Sequence, residues 1–562
     1  MINVKDKPFY LDNEGIEWVN ATLQSLSLKE KIGQLFCPII FTKDSNELKS
    51  MIKEFSFGGV LYREGMAEEI RASHEILQNA SKVPLLTASN LEMGGKGSAT
   101  EGTYYGRQML VAATNNLNRA YELGKISAIE GKALGVNWAF APVVDIDYNF
   151  RNPITNVRTY GANLEKIKSM AGEYIKAATE EGIATAVKHF PGDGVDERDQ
   201  HLLTSVNSLD YETWDKTYGD IYKSVIDAGT LSIMVAHIAF PDYEKKCGAS
   251  IEQCLMPATL SKNVIKKLLR EELKFNGLLC TDATPMIGFC SAMDRKTAVP
   301  LCIENGCDVF LFNKDIREDF TYMIQGYENG ILSEKRLNEA VYRILATKAA
   351  LKLYKNKQNE NYVLPKEGLN VLGCKKHMDM AKLCADEGIT LVKDTQNLLP
   401  LHPKKTPNLL LQILGESNSN ERVRNRFVTR LQKEGFFVTV YEKETNFEQL
   451  DNCEEFKRKY DLVLYVGNIE TVSNKTVARV NWDSFFGLGN NMPWFVKEVP
   501  TIFVSVGNPY HLFDIPMIKT FINCYCNTDI VISTVIDKMI GLSPFKGVNP
   551  IDPFCGRADT EY

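Results

Sequence analysis

Fourteen residues at 188–201, "KHFPGDGVDERDQH", gather one lysine, two histidines and four carboxylates. They follow the apolar run "GIATAV", so a buried strand here opens into a polar loop, a common way for enzymes to display their chemistry. Imidazole beside carboxylate suits proton transfer, because an unperturbed histidine titrates at about 6.5. A further carboxylate, Asp282, closes the run "GLLCTD", where an Asp is as often a helix cap as a functional group. Metal binding is the competing chemistry. His189 and His201 stand twelve residues apart with Asp193, Asp196 and Asp199 between them, a donor set for a divalent ion. No H-x-H or H-x-x-E-H spacing accompanies it, so neither a metal nor another cofactor is expected.

Such groups recur at the ends of apolar runs. "QLFCPIIF" (34–41), "FGGVLY" (57–62), "PLLTAS" (84–89) and "NWAFAPVVDI" (137–146) come first. "IATAVKH" (183–189), "LSIMVAH" (231–237), "GLLCTD" (277–282) and "CDVFLF" (307–312) follow. Each is bounded by turn formers and reads as a strand buried on both faces. The segments between them have helical periodicity. Ser261, for example, is placed to cap a helix burying Val264, Ile265, Leu268, Leu269 and Leu273. Eight strands alternating with helices predict a (β/α)8 barrel over 1–355, with a doubly wound sheet as the alternative. In a barrel the carboxyl ends of the strands form one functional rim. Asn90 and Glu92, Asp145 and Asp147, Lys188 and His189, His237, and Asp282 all fall there. The chain has only seven histidines, yet His189, His201 and His237 lie at or just beyond these ends.

After "RILATKAALKLY" (343–354), the tract "KNKQNENYVLPKEG" predicts a linker, 356–375. Beyond it, at 376–562, "NLLLQILG" (408–415), "FFVTVY" (436–441), "DLVLYVG" (461–467) and "TIFVSVG" (501–507) predict a second α/β domain, a parallel sheet between helices. It carries no Gly-rich phosphate fingerprint. A net charge of −6 and a pI near 5.9 provide no basic surface for nucleic acid or anionic membrane. No apolar stretch reaches the roughly 18 residues of a membrane span. The start, "MINVKDKPFYLDNEG", lacks the regions of a signal peptide, and thirteen scattered cysteines never form C-x-x-C. A cytoplasmic chain with reduced thiols is expected.

"KHFPGDGVDERDQH" resembles the signature of family 3 glycoside hydrolases in their β-N-acetylhexosaminidase branch. That signature reads Lys-His-Phe-Pro-Gly-His-Gly, with an Asp-Ser/Thr-His triplet starting five residues later. "FGGVLY", "FAPVVDID" (140–147), "NPITNVRTYG" (152–161), "IMVAHIAFP" (233–241) and "GLLCTD" resemble further family blocks in the family order. "GITLVKDTQNLLPL" (388–401) is similar to the opening of the second domain in longer members. Three positions depart: Asp193 replaces the second histidine, Gln200 the middle of the triplet, and Asn90 in "NLEMGG" a usual acid.

The resemblance implies a barrel with a C-terminal α/β sandwich, acting on a small glycan substrate. It implies a retaining exo-β-N-acetylhexosaminidase that removes N-acetylglucosamine-type sugars from small glycans or cell-wall fragments. Asp282 would be the nucleophile, His201 the acid/base and Asp199 the partner of its ring. Lys188, His189, Arg158 and Asn90 would bind the sugar, with Asp145 and Met234 as further candidates. A β-N-acetylglucosaminide phosphorylase and a family 3 β-glucosidase are the enzymatic alternatives. A glycan-binding barrel without turnover is the other class. In the second domain, "VARVNWDSFF" (477–486) offers an Arg and a Trp able to close over a glycan.

Overall fold

The computed structural model describes residues 2–358, 363–442, 452–485 and 488–562. The chain forms two compact units. The first comprises Met1–Tyr105, Ala120–Asn149 and Leu164–Met378, the second Gly106–Arg119, Phe150–Asn163 and Asp379–Tyr562. Within the expected linker, a helix ends at Gln358 and a 3-10 turn spans Lys366–Val371; residues 359–362 lie outside the described residues.

The first unit holds β1 (Phe36–Cys37), β2 (Ile39–Ile40), β3 (Gly59–Tyr62), β4 (Leu86–Ser89), β5 (Trp138–Ala139) and β6 (Ala184–Phe190). It continues with β7 (Ser205–Val206), β8 (Ser232–Val235), β9 (Ile238–Ala239), β10 (Leu278–Thr281) and β11 (Phe310–Leu311). Seven strands make one parallel sheet in the order β10-β8-β6-β5-β4-β3-β2. β1 pairs in parallel with β11, and a single bridge joins Cys280 of β10 to Val309, beside β11. β1 and β2 are one apolar run cut by Pro38, which has no N–H to give a ladder. Each of the eight expected runs therefore supplies a parallel strand, in a sheet curled until its ends meet through short contacts.

These strands are shorter than the apolar runs suggest. In 137–146 only Trp138–Ala139 is laddered, and Val143 adds one bridge to Lys188. Pro142 sits between them and withdraws a donor. β3, β4, β8 and β10 are buried along their whole length, as expected of a parallel sheet covered by helices. The helix Asn263–Glu272 buries Val264, Ile265, Leu268 and Leu269, and Ser261 Oγ accepts from Val264 N at 3.0 Å, as the sequence predicts. It is wound as a π-helix rather than an α-helix.

The second unit contains β12 (Thr390–Asp394), β13 (Asn408–Leu414), β14 (Phe437–Val440), β15 (Leu462–Gly467), β16 (Ser484–Phe485), β17 (Leu488–Gly489), β18 (Thr501–Ser505) and β19 (Thr520–Asn523). Its main sheet runs β12-β19-β18-β15-β13-β14. The four expected strands are parallel, but the sheet is mixed: β19 extends it and β12 pairs antiparallel to β19. Tyr465, Phe503 and Phe521 build an aromatic core, with Phe503 and Phe521 stacked at 5.2 Å. The Arg and Trp of "VARVNWDSFF" serve this unit's own packing. Arg479 Nε bonds Asp514 Oδ1 at 2.8 Å, and Trp482 packs against the core; Phe486 lies outside the described residues.

Each unit buries a neutral histidine. His74 Nδ1 donates to Leu134 O at 2.7 Å, and neither ring nitrogen of His511 has a hydrogen-bond partner among the described residues. Burial pushes both down to about 4 from 6.5. The unfolded chain therefore binds more protons than the native one between these values, so stability falls as pH falls through that window. Thermal unfolding followed from neutral pH downwards should show Tm dropping below about pH 6.5. A Tm independent of pH over that range would contradict the burial of neutral rings.

Candidate active site

The site begins where β6 leaves its ladder. Val187 faces Ile233 and Phe190 faces Val235, so Lys188 and His189 together oppose Met234 alone. One extra residue makes a bulge, which re-aims side chains at a sheet's functional end. Met234 itself is buried in β8 and offers only apolar packing. Lys188 Nζ pairs with Glu92 Oε1 at 2.6 Å, with side-chain exposures of 4% and 10%. His189 is held by Asp145, which follows β5 and is fully buried. Asp145 Oδ2 accepts from His189 Nδ1 at 2.6 Å, while Oδ1 accepts from His189 N at 3.1 Å and Asp193 N at 2.8 Å.

The loop then closes on itself. Gly192, at φ 122°, lies against the Tyr218 ring, which a Cβ there would meet at 2.2 Å. Asp193 Oδ1 accepts from Gly194 N at 2.7 Å. Further along, Asp199 is buried and His201 is about a quarter exposed, at 26% of its side chain. Asp199 Oδ1 accepts from both His201 N at 2.9 Å and His201 Nδ1 at 2.6 Å. A carboxylate cannot donate, so Nδ1 carries the proton and Nε2 is the atom left to exchange one with a ligand.

Asp282 follows β10. Its backbone N–H donates to Val235 O at 2.7 Å, and its Oδ1 accepts from Ala283 N at 2.7 Å. Burial alone would raise its carboxyl. The imidazoles of His189, His237 and His201, with the Ala283 N–H, outweigh that and hold it below its usual range. Asp282 is therefore an anion at neutral pH. His237 is of the opposite kind: burial pushes it down to about 4, so the ring is neutral. Its Nε2–H donates to Ala283 O at 3.0 Å and its Nδ1 accepts from Thr259 Oγ1 at 3.0 Å.

The first unit thus assembles Lys188, His189, Asp145, Asp199, His201 and Asp282, with Met234 opposite the bulge. Asn90 follows β4, half-buried, and its side chain makes no hydrogen bond among the described residues. Arg158 belongs to Phe150–Asn163 of the second unit, where its Nη1 donates to Ile154 O at 3.4 Å. Glu92, Gln200 and His237 are the residues whose roles the sequence does not announce. Only their chemical type and their position near strand ends were visible. His189 and His201, the pair that could have shared a cation, each lean on a separate carboxylate. Among the described residues no group of three His, Cys, Asp or Glu side chains is placed to hold a metal ion.

Known proteins are similar to this chain along its whole length. Residues 27–347 match the model of the glycosyl hydrolase family 3 N-terminal domain. The chain is 41% identical over 569 aligned residues to a Cellulomonas fimi protein named β-N-acetylglucosaminidase/β-glucosidase, covering all of both chains. A solved structure of the β-glucoside phosphorylase BglX matches with a TM-score of 0.93 and 42% identity, over 99% of each chain. A family 3 β-N-acetylglucosaminidase from Paenibacillus sp. shares the fold, with a TM-score of 0.78 and 24% identity over 95% of this chain and 100% of that one.

The Lys188–Glu92 pair is nearly dry, so removing one partner strands the other. Glu92→Ala should destabilise the protein by about 3 kcal/mol, read as a lower denaturant midpoint at unchanged slope. An unchanged midpoint would mean that Lys188 finds another anion or reaches water.

Proposed function

The chain belongs to glycoside hydrolase family 3, and on that premise we propose that it is a retaining, exo-acting β-N-acetylglucosaminidase that also accepts β-glucosides. The observation that carries this reading is an Asp282 held ionised just after β10, with His201, whose Nδ1 is fixed by Asp199, among the groups acting on it. A retaining enzyme needs a nucleophile on one side of the anomeric carbon and a proton donor at the leaving oxygen. In the first step Asp282 attacks the anomeric carbon and His201 Nε2 gives its proton to the departing glycosidic oxygen. The Asp199 carboxylate stabilises the imidazolium that makes this donation. In the second step neutral Nε2 takes a proton from water as it attacks the glycosyl-enzyme, and Asp282 leaves as carboxylate. Lys188 and His189, fixed by Glu92 and Asp145, hold the sugar hydroxyls and 2-substituent, with Asn90 as a further contact. Fixed donors of this kind convert binding into alignment.

A second reading has its own support. A phosphorylase is among the full-length structural relatives. An imidazole acid/base carries no negative charge while the glycosyl-enzyme waits, so it does not repel an anionic acceptor as a carboxylate would. Phosphate attacking in place of water would release a sugar 1-phosphate.

Asp282→Asn should abolish turnover with the fold intact, because an amide cannot form the glycosyl ester. His201→Ala should lose about 10²–10³-fold on poor leaving groups and far less on nitrophenolate. Product analysis in matched buffers, with and without phosphate, decides the acceptor. Free sugar as the sole product, at a rate indifferent to phosphate, fixes hydrolysis; phosphate-dependent sugar 1-phosphate fixes phosphorolysis.

A further inference from the structure

Gln200, the neighbour of His201, takes no part in these steps, yet it is only 2% exposed. Its Oε1 accepts the backbone N–H of His237 at 2.9 Å. His237 in turn donates from its ring to the carbonyl of Ala283, the residue after the nucleophile, at 3.0 Å. The backbone around Gln200 docks on the short helix Ile287–Cys290. Gly288 N donates to Gln200 O at 3.2 Å, Ile287 N to His201 O at 3.1 Å, and Thr204 Oγ1 to Gly288 O at 2.8 Å. The approach is close: a Cβ on Gly288 would lie 2.7 Å from Gln200 O and 2.9 Å from Leu203 O. β7 then pairs with β9 directly after His237.

The Asp199–His201 contact spans two residues, so it orients the ring without deciding where the ring lies. That position must come from contacts distant in sequence. We propose that Gln200 is a positioning residue whose amide oxygen, through His237, holds the His201 loop in register with Asp282. Proton donor and nucleophile then reach the same glycosidic bond together. Without this acceptor the His237 N–H is buried and unpaired, which favours detachment of the loop. A shift of about 1 Å between reacting groups is enough to cost about 10²-fold.

The inference rests on His201 being the acid/base, and the test separates the two. Gln200→Met in the full-length protein keeps length and burial but removes the acceptor. It should lose about 100-fold in kcat on an alkyl β-glycoside and only a few-fold on a dinitrophenyl β-glycoside, whose leaving group needs little protonation. In a His201→Ala background the same substitution should cost nothing further, because the group it positions is gone. Gly288→Ala, which crowds Gln200 O from the helix side, should repeat the leaving-group pattern should Gln200→Met fold poorly. Equal losses on both substrates, or additive losses in the double variant, overturn the role of Gln200. A His201→Ala enzyme without leaving-group dependence overturns the underlying reading instead.

Discussion

The Asp145 carboxylate lies wholly out of water at the end of β5 and accepts three hydrogen bonds, from the ring and backbone of His189 and from the backbone of Asp193. An anion in that position is tolerable only while its donors remain. The demand acts on the chain as well as on the charge. It fixes His189 as the strand ends and draws Asp193 back as the loop begins, so the loop departs in one direction. The glycines on either side of Asp193 make this geometry possible. A Cβ at Gly192 would meet the Tyr218 ring, and one at Gly194 would lie 1.9 Å from Ile146 O. Lys188, the loop and ultimately His201 inherit their placement from this turn.

Charge is distributed around the site so that each group keeps one protonation role. Glu92 neutralises Lys188, leaving the ammonium fixed and able to donate. Neighbouring imidazoles and the Ala283 N–H keep Asp282 ionised although burial favours its neutral form. His237 stays neutral, so it can accept from Thr259 and donate to Ala283 without adding a cation beside the nucleophile. Separating an ionised carboxylate from a proton-carrying imidazole is what the proposed two-step displacement needs.

Much of this was legible in the sequence, and the failures have physical causes. The eight apolar runs of the first unit are strands because parallel sheets buried on both faces leave continuous hydrophobic stretches. Their lengths were overread where Pro38 and Pro142 interrupt the ladder, since apolarity continues where pairing cannot. In the second unit, "TLVKD" and "TFIN" each hold only two apolar residues, so neither β12 nor β19 stood out. Asp282, His201 and Asp199 were singled out through the resemblance, and the Asp199–His201 contact is local enough for its spacing to show it. The pairing of Glu92 with Lys188 links residues 96 apart, and the contact of Gln200 with His237 links residues 37 apart. Such contacts depend on tertiary closure and leave no periodic trace.

The proposed nucleophile and acid/base are held by different kinds of structure. Asp282 is anchored by the ladder itself, its own N–H bonded to β8 and its carboxylate to the next peptide. His201 sits on a loop outside the ladder of the main sheet. Its geometry has two separable parts: an internal one, the Asp199 contact that survives any rigid movement, and an external one set by docking on His237 and the helix at Ile287–Cys290. Keeping the dyad within three residues means that it never has to be rebuilt. Only the docking must be regained if the loop lifts. Proton transfer is far less tolerant of misplacement than of small changes in acidity. The weaker, longer-range contacts around Gln200 and Gly288 therefore govern the reaction more than the short Asp199–His201 bond does.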